Sequence, residues 1–133
     1  MKSFQQILVA VVFTSMATCT LAAYPERPIT IVVPFAAGGP TDKVARDLAE
    51  VLRKGLGNQT VLVENVGGVG GTLGASKVAR AAADGYTFLL HHIGMATTPA
   101  LHRNLPYRAL EDLEFIGMVN LAHAGLGAAG KAD

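Results

Sequence analysis

Apolar and polar positions along residues 24–90 switch between two periods. Ile29 to Val33 is a β-branched run (Ile, Thr, Ile, Val, Val) between Pro28 and Pro34, the pattern of a strand buried on both faces. Apolar residues then recur at Val44, Ala45, Leu48, Val51 and Leu52, with Arg46, Asp47, Glu50, Arg53 and Lys54 filling much of the rest, which predicts a helix with one apolar face. Arg53 and Lys54 suit the negative end of its dipole, and Gly55, Gly57 and Asn58 supply cap residues. Thr60 to Glu64 repeats the strand pattern. A loop with glycines at 67, 68, 70, 71 and 74 follows, then a small-residue helix through Ala75, Val78, Ala79 and Ala82. Asp84 and Gly85 make a turn, and Tyr86 to His91 predicts a third strand. Strands alternating with helices imply βαβ units, hence an α/β fold with a mainly parallel sheet flanked by helices on both faces. Downstream, Leu105 to Leu113 reads as loop plus one helical turn and Phe115 to Val119 as a fourth strand. From Leu121 to Asp133, eight of thirteen residues are Ala or Gly and no periodicity survives, so no structure is assigned there.

The amino terminus follows a different logic. Lys2 precedes an unbroken apolar run, Ile7 to Phe13, and Leu21, Ala22 and Ala23 offer small residues at a cleavage position. Residues 1–23 therefore read as a secretory signal peptide cut after Ala22 or Ala23, the apolar core falling short of the ~20 residues that cross a bilayer. Cys19, the only cysteine, lies inside that segment, and Met16-Ala17-Thr18 before it fits a lipoprotein signal poorly. Cleavage after Ala23 leaves 110 residues with ten Lys and Arg against ten Asp and Glu. Charges of both signs are interspersed, without the basic stripe that neutralising phosphates requires, so nucleic acid is excluded as a partner.

Three loops fall beyond the carboxyl ends of the predicted strands, where ligands bind in open parallel sheets. In the first, Pro34 to Asp42, Gly38 and Gly39 allow close backbone approach and Pro40 suits the first helical position. The backbone N–H groups of Thr41 and Asp42 lack intrahelical partners and sit at the positive end of the dipole, an anion site for which a carboxylate is the natural guest. Asp42 would repel that guest if it faced it, so its side chain is expected to brace the loop. The alternative, that Gly38 and Gly39 merely turn the chain, has equal weight on spacing alone. The second loop, Val66 to Gly74, fits neither dinucleotide-binding nor P-loop spacing, and its glycines read as close packing or a second amide-lined wall. The third, His91 to Pro99, carries adjacent histidines that point to opposite faces of a strand and so cannot easily chelate one ion. Gly94, Thr97 and Thr98 give it flexibility and hydroxyl donors. Ser76 is the only serine after residue 23 and lacks a nucleophile elbow around it, so no covalent nucleophile is placed.

The stretches YPERPITIVVPFAAGGPTDKVAR (24–46), VLVENVGGVGGTLGASKVARAAADGYTFLL (61–90) and HHIGMATTPALHRNLPY (91–107) resemble the periplasmic solute-binding receptors of tripartite tricarboxylate transporters, the Bug family. The resemblance implies a type II periplasmic-binding-protein-like lobe, here incomplete. It implies a monomer that takes up a small carboxylated ligand in the periplasm, without a cofactor, metal or catalysis, and hands it to membrane permease subunits. It carries ligand contacts over to Phe35, Ala36, Gly38, Gly39, Thr41 and Asp42 in the first loop, and to His92, Gly94 and Met95 in the third. Val66-Gly67 departs from the Arg-Pro pair usual in the family. The expected organisation is a signal peptide (1–23), a partial first lobe (24–120) and a divergent tail (121–133), as a truncated or frameshifted reading frame would leave. The readings that compete with a receptor are a small periplasmic enzyme using His91 or His92 as acid or base, and a nonfunctional fragment.

Overall fold

The structure, a computed structural model, describes residues 24–102 and 104–119. The proposed signal peptide, Cys19 and the tail from Leu121 lie outside the described residues. Three strands form one parallel sheet in the order β2-β1-β3: β1 (Ile29–Val33), β2 (Val61–Asn65) and β3 (Thr87–Leu89). The central strand is β1, with Ile29 opposite Val61, Val33 opposite Asn65, and Ile31 opposite Phe88 on its other side. Ile29, Ile31, Val32 and Val33 are at most 2 % exposed, as the run between two prolines predicts for a strand covered on both faces.

The helices between the strands are α1 (Pro40–Gly55) and α2 (Thr72–Ala79), the latter entered through a single 3₁₀ turn, Val69–Gly71. Successive strand residues face opposite sides. Ile31 and Val33 pack with Ala45 and Ala49 of α1 in the core, joined by Leu48, Leu52, Val61 and Val63. Glu64, opposite Val32 in the register, instead pairs with Lys77 of α2. The two helices therefore cover opposite faces. The buried stripe of α1 runs through Ala45 and Ala49, while Val51, expected in the apolar face, is 66 % exposed at its rim. Its end is closed as its residues suggest: the Leu56 and Asn58 N–H groups return to Leu52 and Arg53 carbonyls, with Gly57 and Asn58 both left-handed.

Helix α2 starts and stops about one turn earlier than the Ala75 to Ala82 spacing suggests, because packing decides the matter. A Cβ on Gly74 would stand 2.7 Å from Pro34 Cβ, 2.9 Å from Pro34 Cα and 3.0 Å from the Val66 carbonyl oxygen. Only a glycine lets the helix press this closely on the end of β1. At the opposite end of the sheet, Tyr24 donates to the Gly85 carbonyl at 2.6 Å, and Arg27 lies 4.1 Å over the Tyr86 ring and pairs with Asp84.

Three expectations are corrected. The third strand, expected from Tyr86 to His91, is Thr87–Leu89 alone, so His91 and His92 lie beyond it. The His91 to Pro99 segment is not all loop, since Gly94–Leu101 forms a helix, α3, with Pro99 inside it. Side chains satisfy the backbone where propensity is poor: His92 Nδ1 accepts the Gly94 N–H at 2.9 Å, and the Thr98 and Thr97 hydroxyls donate to the Gly94 carbonyl at 2.6 and 3.2 Å. Phe115 to Val119 forms no strand and pairs with none among the described residues; Phe115, Ile116, Met118 and Val119 are 51–79 % exposed. Apolar, β-prone composition needs a ladder partner to become a strand. Between these segments, Arg108 to Asp112 closes a single turn through the Asp112 N–H to the Arg108 carbonyl at 2.8 Å.

The packing of Gly74 yields a contrast. Gly74→Ala should lower unfolding stability by about 1–3 kcal/mol through overpacking. Gly55→Ala, whose Cβ would meet nothing within 4 Å, should stay within about 0.5 kcal/mol of the parent. Urea unfolding of both variants measures the difference, and equal effects would contradict the close approach of α2 to Pro34.

Candidate functional site

Because the strands are parallel, the segments that follow β1, β2 and β3 gather at one end of the sheet. The first begins as a tight turn in which the Gly39 N–H reaches the Ala36 carbonyl at 3.4 Å and Gly38 takes φ of 81°. That left-handed value at the third position of a turn is readily adopted only by Gly or Asn. Pro40 then opens α1, whose cap residue Gly39 gives no side-chain cap.

The missing cap is replaced from inside. Asp42, in the first turn of α1, is 2 % exposed, and its carboxylate accepts the Gly38 N–H at 2.8 Å, Arg46 Nε and Nη2 at 2.9 and 3.1 Å, and Asn65 Nδ2 at 2.9 Å. Asn65 Nδ2 also donates to the Phe35 carbonyl at 3.2 Å. The Arg46 guanidinium, then the Gly38 amide and the Asn65 amide, hold the Asp42 carboxyl down at about 2, outweighing the effect of its burial. Asp42 is thus turned inward as a brace. Around it, the N–H groups of Ala36, Thr41 and Asp42 have no hydrogen-bond partner among the described residues.

The third segment meets the first through aromatic rings. Phe35 stacks on His92 with centroids 4.3 Å apart and planes 15° apart, and meets His91 edge-on at 5.2 Å; the two imidazoles are 5.1 Å apart. His92 Nδ1 is committed to the Gly94 N–H, and His91 Nδ1 lies 2.9 Å from both the backbone N and the carbonyl O of His92. Burial, the largest cause, pushes the His91 imidazole below its ordinary 6.5. The second segment presses on this cluster. A Cβ on Gly71 would stand 2.7 Å from His91 Nε2 and 3.4 Å from Phe35 Cζ, so close packing accounts for this glycine as it does for Gly74. Val69, at φ 48°, is a β-branched residue held in the left-handed region in the 3₁₀ turn of the same segment.

Of the nine residues expected to touch ligand, Phe35, His92 and Gly94 form one cluster. Ala36, Gly38, Gly39, Thr41 and Asp42 form the adjoining turn and helix start, with Phe35 belonging to both groups. Met95 follows Gly94 in the first turn of α3: its N–H bonds the His92 carbonyl at 3.0 Å, and Tyr107, 5 % exposed, directs its hydroxyl to the Met95 sulfur at 3.9 Å. Asn65 and Arg46 escaped the sequence reading. The available signal was an asparagine in a strand, a residue type depleted there unless its amide has partners.

The family model described as tripartite tricarboxylate transporter family receptor matches residues 44–132. The UPF0065 protein in the TAR-I ttuE-ttuC' intergenic region of Agrobacterium vitis is 56 % identical over 97 residues, covering 73 % of this chain and 28 % of the relative. Among solved structures, the periplasmic binding protein BugD is 60 % identical with a TM-score of 0.62, over 65 % of this chain and 28 % of BugD. MatC from Rhodopseudomonas palustris with bound malate is 45 % identical with a TM-score of 0.56, over 67 % of this chain and 30 % of MatC. The chain thus spans about a third of the length of the curated relatives it matches.

The buried imidazole gives a prediction with a definite sign. His91 binds its proton less well folded than unfolded, so between its folded pKa and about 6.5 the unfolded state carries more protons and stability rises with pH. Acidification from about pH 7.5 to about pH 5.5 should therefore cost stability, and His91→Phe should lose part of that cost. Urea unfolding of both proteins at the two pH values measures it; an identical pH dependence would show that His91 is not buried as described.

Proposed function

The chain belongs to the tripartite tricarboxylate transporter receptor family, and from that premise we propose that it is receptor material that captures a small dicarboxylate in the periplasm for a transporter. The observation that carries this reading is the set of N–H groups without partners among the described residues, at Ala36 in the preceding turn and at Thr41 and Asp42 in the first turn of a 16-residue helix whose own acidic side chain is turned away. Helix starts attract anions through free amides and through the dipole. A carboxylate oxygen suits them without a metal or cofactor. MatC, similar over 67 % of this chain, is solved with malate, which makes malate the first ligand to try. Phe35, Gly38, Gly39, His92, Gly94 and Met95 complete the proposed wall. Delivery to membrane permease subunits and export through a cleaved leader belong to the same proposal.

Catalysis by His91 or His92 has less support. Each Nδ1 atom already engages the backbone, and no carboxylate orients either ring among the described residues. The pair therefore serves as a platform for Phe35 and for the start of α3.

Magnitudes set what this chain should do by itself. Two hydrogen bonds from amides to a charged group contribute about 3–6 kcal/mol together, against about 4 kcal/mol for a millimolar dissociation constant. One wall should bind weakly. Amide-resolved NMR with malate at millimolar concentration should move the Ala36, Thr41 and Asp42 signals in a saturable way, while the neutral diamide of the same acid should not. Absence of those shifts, or equal shifts with the diamide, would overturn the assignment.

A further inference from the structure

Asn65 ends β2, and the parallel register fixes it opposite Val33, with the Val66 N–H to the Val33 carbonyl at 2.8 Å prolonging the ladder past it. Its side chain therefore reaches the root of the first loop from a rigid element. The two groups it meets with its amide nitrogen are both acceptors, the Phe35 carbonyl at 3.2 Å and the Asp42 carboxylate at 2.9 Å, while its own oxygen lies 3.5 Å from Arg46 Nη2. A carboxamide has two N–H donors on one nitrogen and an acceptor beside it. Aspartate would offer only acceptors to two acceptors, serine a single donor, and an aliphatic residue none. The residue type is thus specified by the loop it holds.

The consequence reaches the proposed ligand wall. In a trans peptide the carbonyl and the following N–H point to opposite sides of the unit, so drawing the Phe35 oxygen toward Asn65 turns the Ala36 N–H away from it, free of partners among the described residues. The same side chain steadies Asp42, whose other oxygen holds the Gly38 N–H at 2.8 Å. We propose that Asn65 is a positioning residue for carboxylate capture, aiming the Ala36 amide and fixing the Gly38 turn without touching the ligand. This rests on the carboxylate-binding reading given above.

The test uses the chain with Asn65→Leu, close in size but with the donors removed and no charge added, and Asn65→Ala. The β1 amides of Ile31 and Val32 report whether the fold is intact, the Gly38 amide reports the turn, and a malate titration followed at Ala36 reports the wall. The expected result in both variants is protected β1 amides, Gly38 hydrogen exchange accelerated by about tenfold or more, and malate affinity reduced by about tenfold or more, the scale of one charge-assisted bond. Unchanged Gly38 exchange with the fold intact would overturn the proposal whether or not malate binds. Accelerated exchange with unchanged malate affinity would overturn the link from turn to ligand. Loss of β1 protection in both variants would also overturn it, by making Asn65 a determinant of the whole fold. A parent chain that gives no malate response would instead refute the carboxylate-binding reading, leaving Gly38 exchange to decide whether Asn65 sets the turn.

Discussion

The structure depends on one buried carboxylate. Asp42 sits at 2 % exposure with donors from a turn, a helix and a strand end converging on it. A charge removed from water is tolerated only when its lone pairs are filled, so burying Asp42 commits several other residues. The Gly38 N–H must face inward, which requires the left-handed turn. Arg46 must lie one helical turn further on, and Asn65 must end β2. The carboxylate also lies in the first turn of α1, where the dipole favours negative charge. With its pKa held near 2, it contributes stability that is complete above the ordinary carboxylate range and is lost as pH falls through that value.

This internal anion also decides which amides at the end of the sheet stay open, the arrangement on which the proposed carboxylate binding rests. By accepting the Gly38 N–H and leaving those of Ala36, Thr41 and Asp42 without partners among the described residues, it separates amides that hold the loop from amides that remain open. The loop is also fixed from its other side. Phe35 is stacked on His92, and Gly71 lets the second segment close on His91, whose Nε2 a Cβ there would meet at 2.7 Å. The proposed wall is therefore set by packing, and such preorganisation reduces the entropy lost on binding.

Much of the frame was legible from residue patterns because the signals were local. The run from Ile29 to Val33 between prolines marked β1 to the residue, and the Pro40, Asp42, Arg53 and Lys54 placements marked both ends of α1. The helix start was found for the same reason, since free amides there follow from geometry alone. What escaped depends on contacts distant in sequence. Whether Gly71 and Gly74 pack or bind cannot be told without His91 and Pro34 beside them. Helix α3 is carried by His92, Thr97 and Thr98 side chains against poor propensity, and Phe115 to Val119 has strand composition without a strand to pair with among the described residues. Asn65 was passed over because its two acceptors lie 30 and 23 positions away.

The central claim, that Asp42 is a structural anion facing the protein and not the ligand, can be measured directly. Carbon-detected NMR of the Asp42 side-chain carboxyl, followed through acid titration with and without malate, reads its protonation and its environment together. A braced, inward-facing carboxylate should titrate with a midpoint near 2 and keep its carboxyl signal in place as malate is added. A midpoint at the ordinary value of about 3.9, or a carboxyl signal that follows malate saturation, would contradict it.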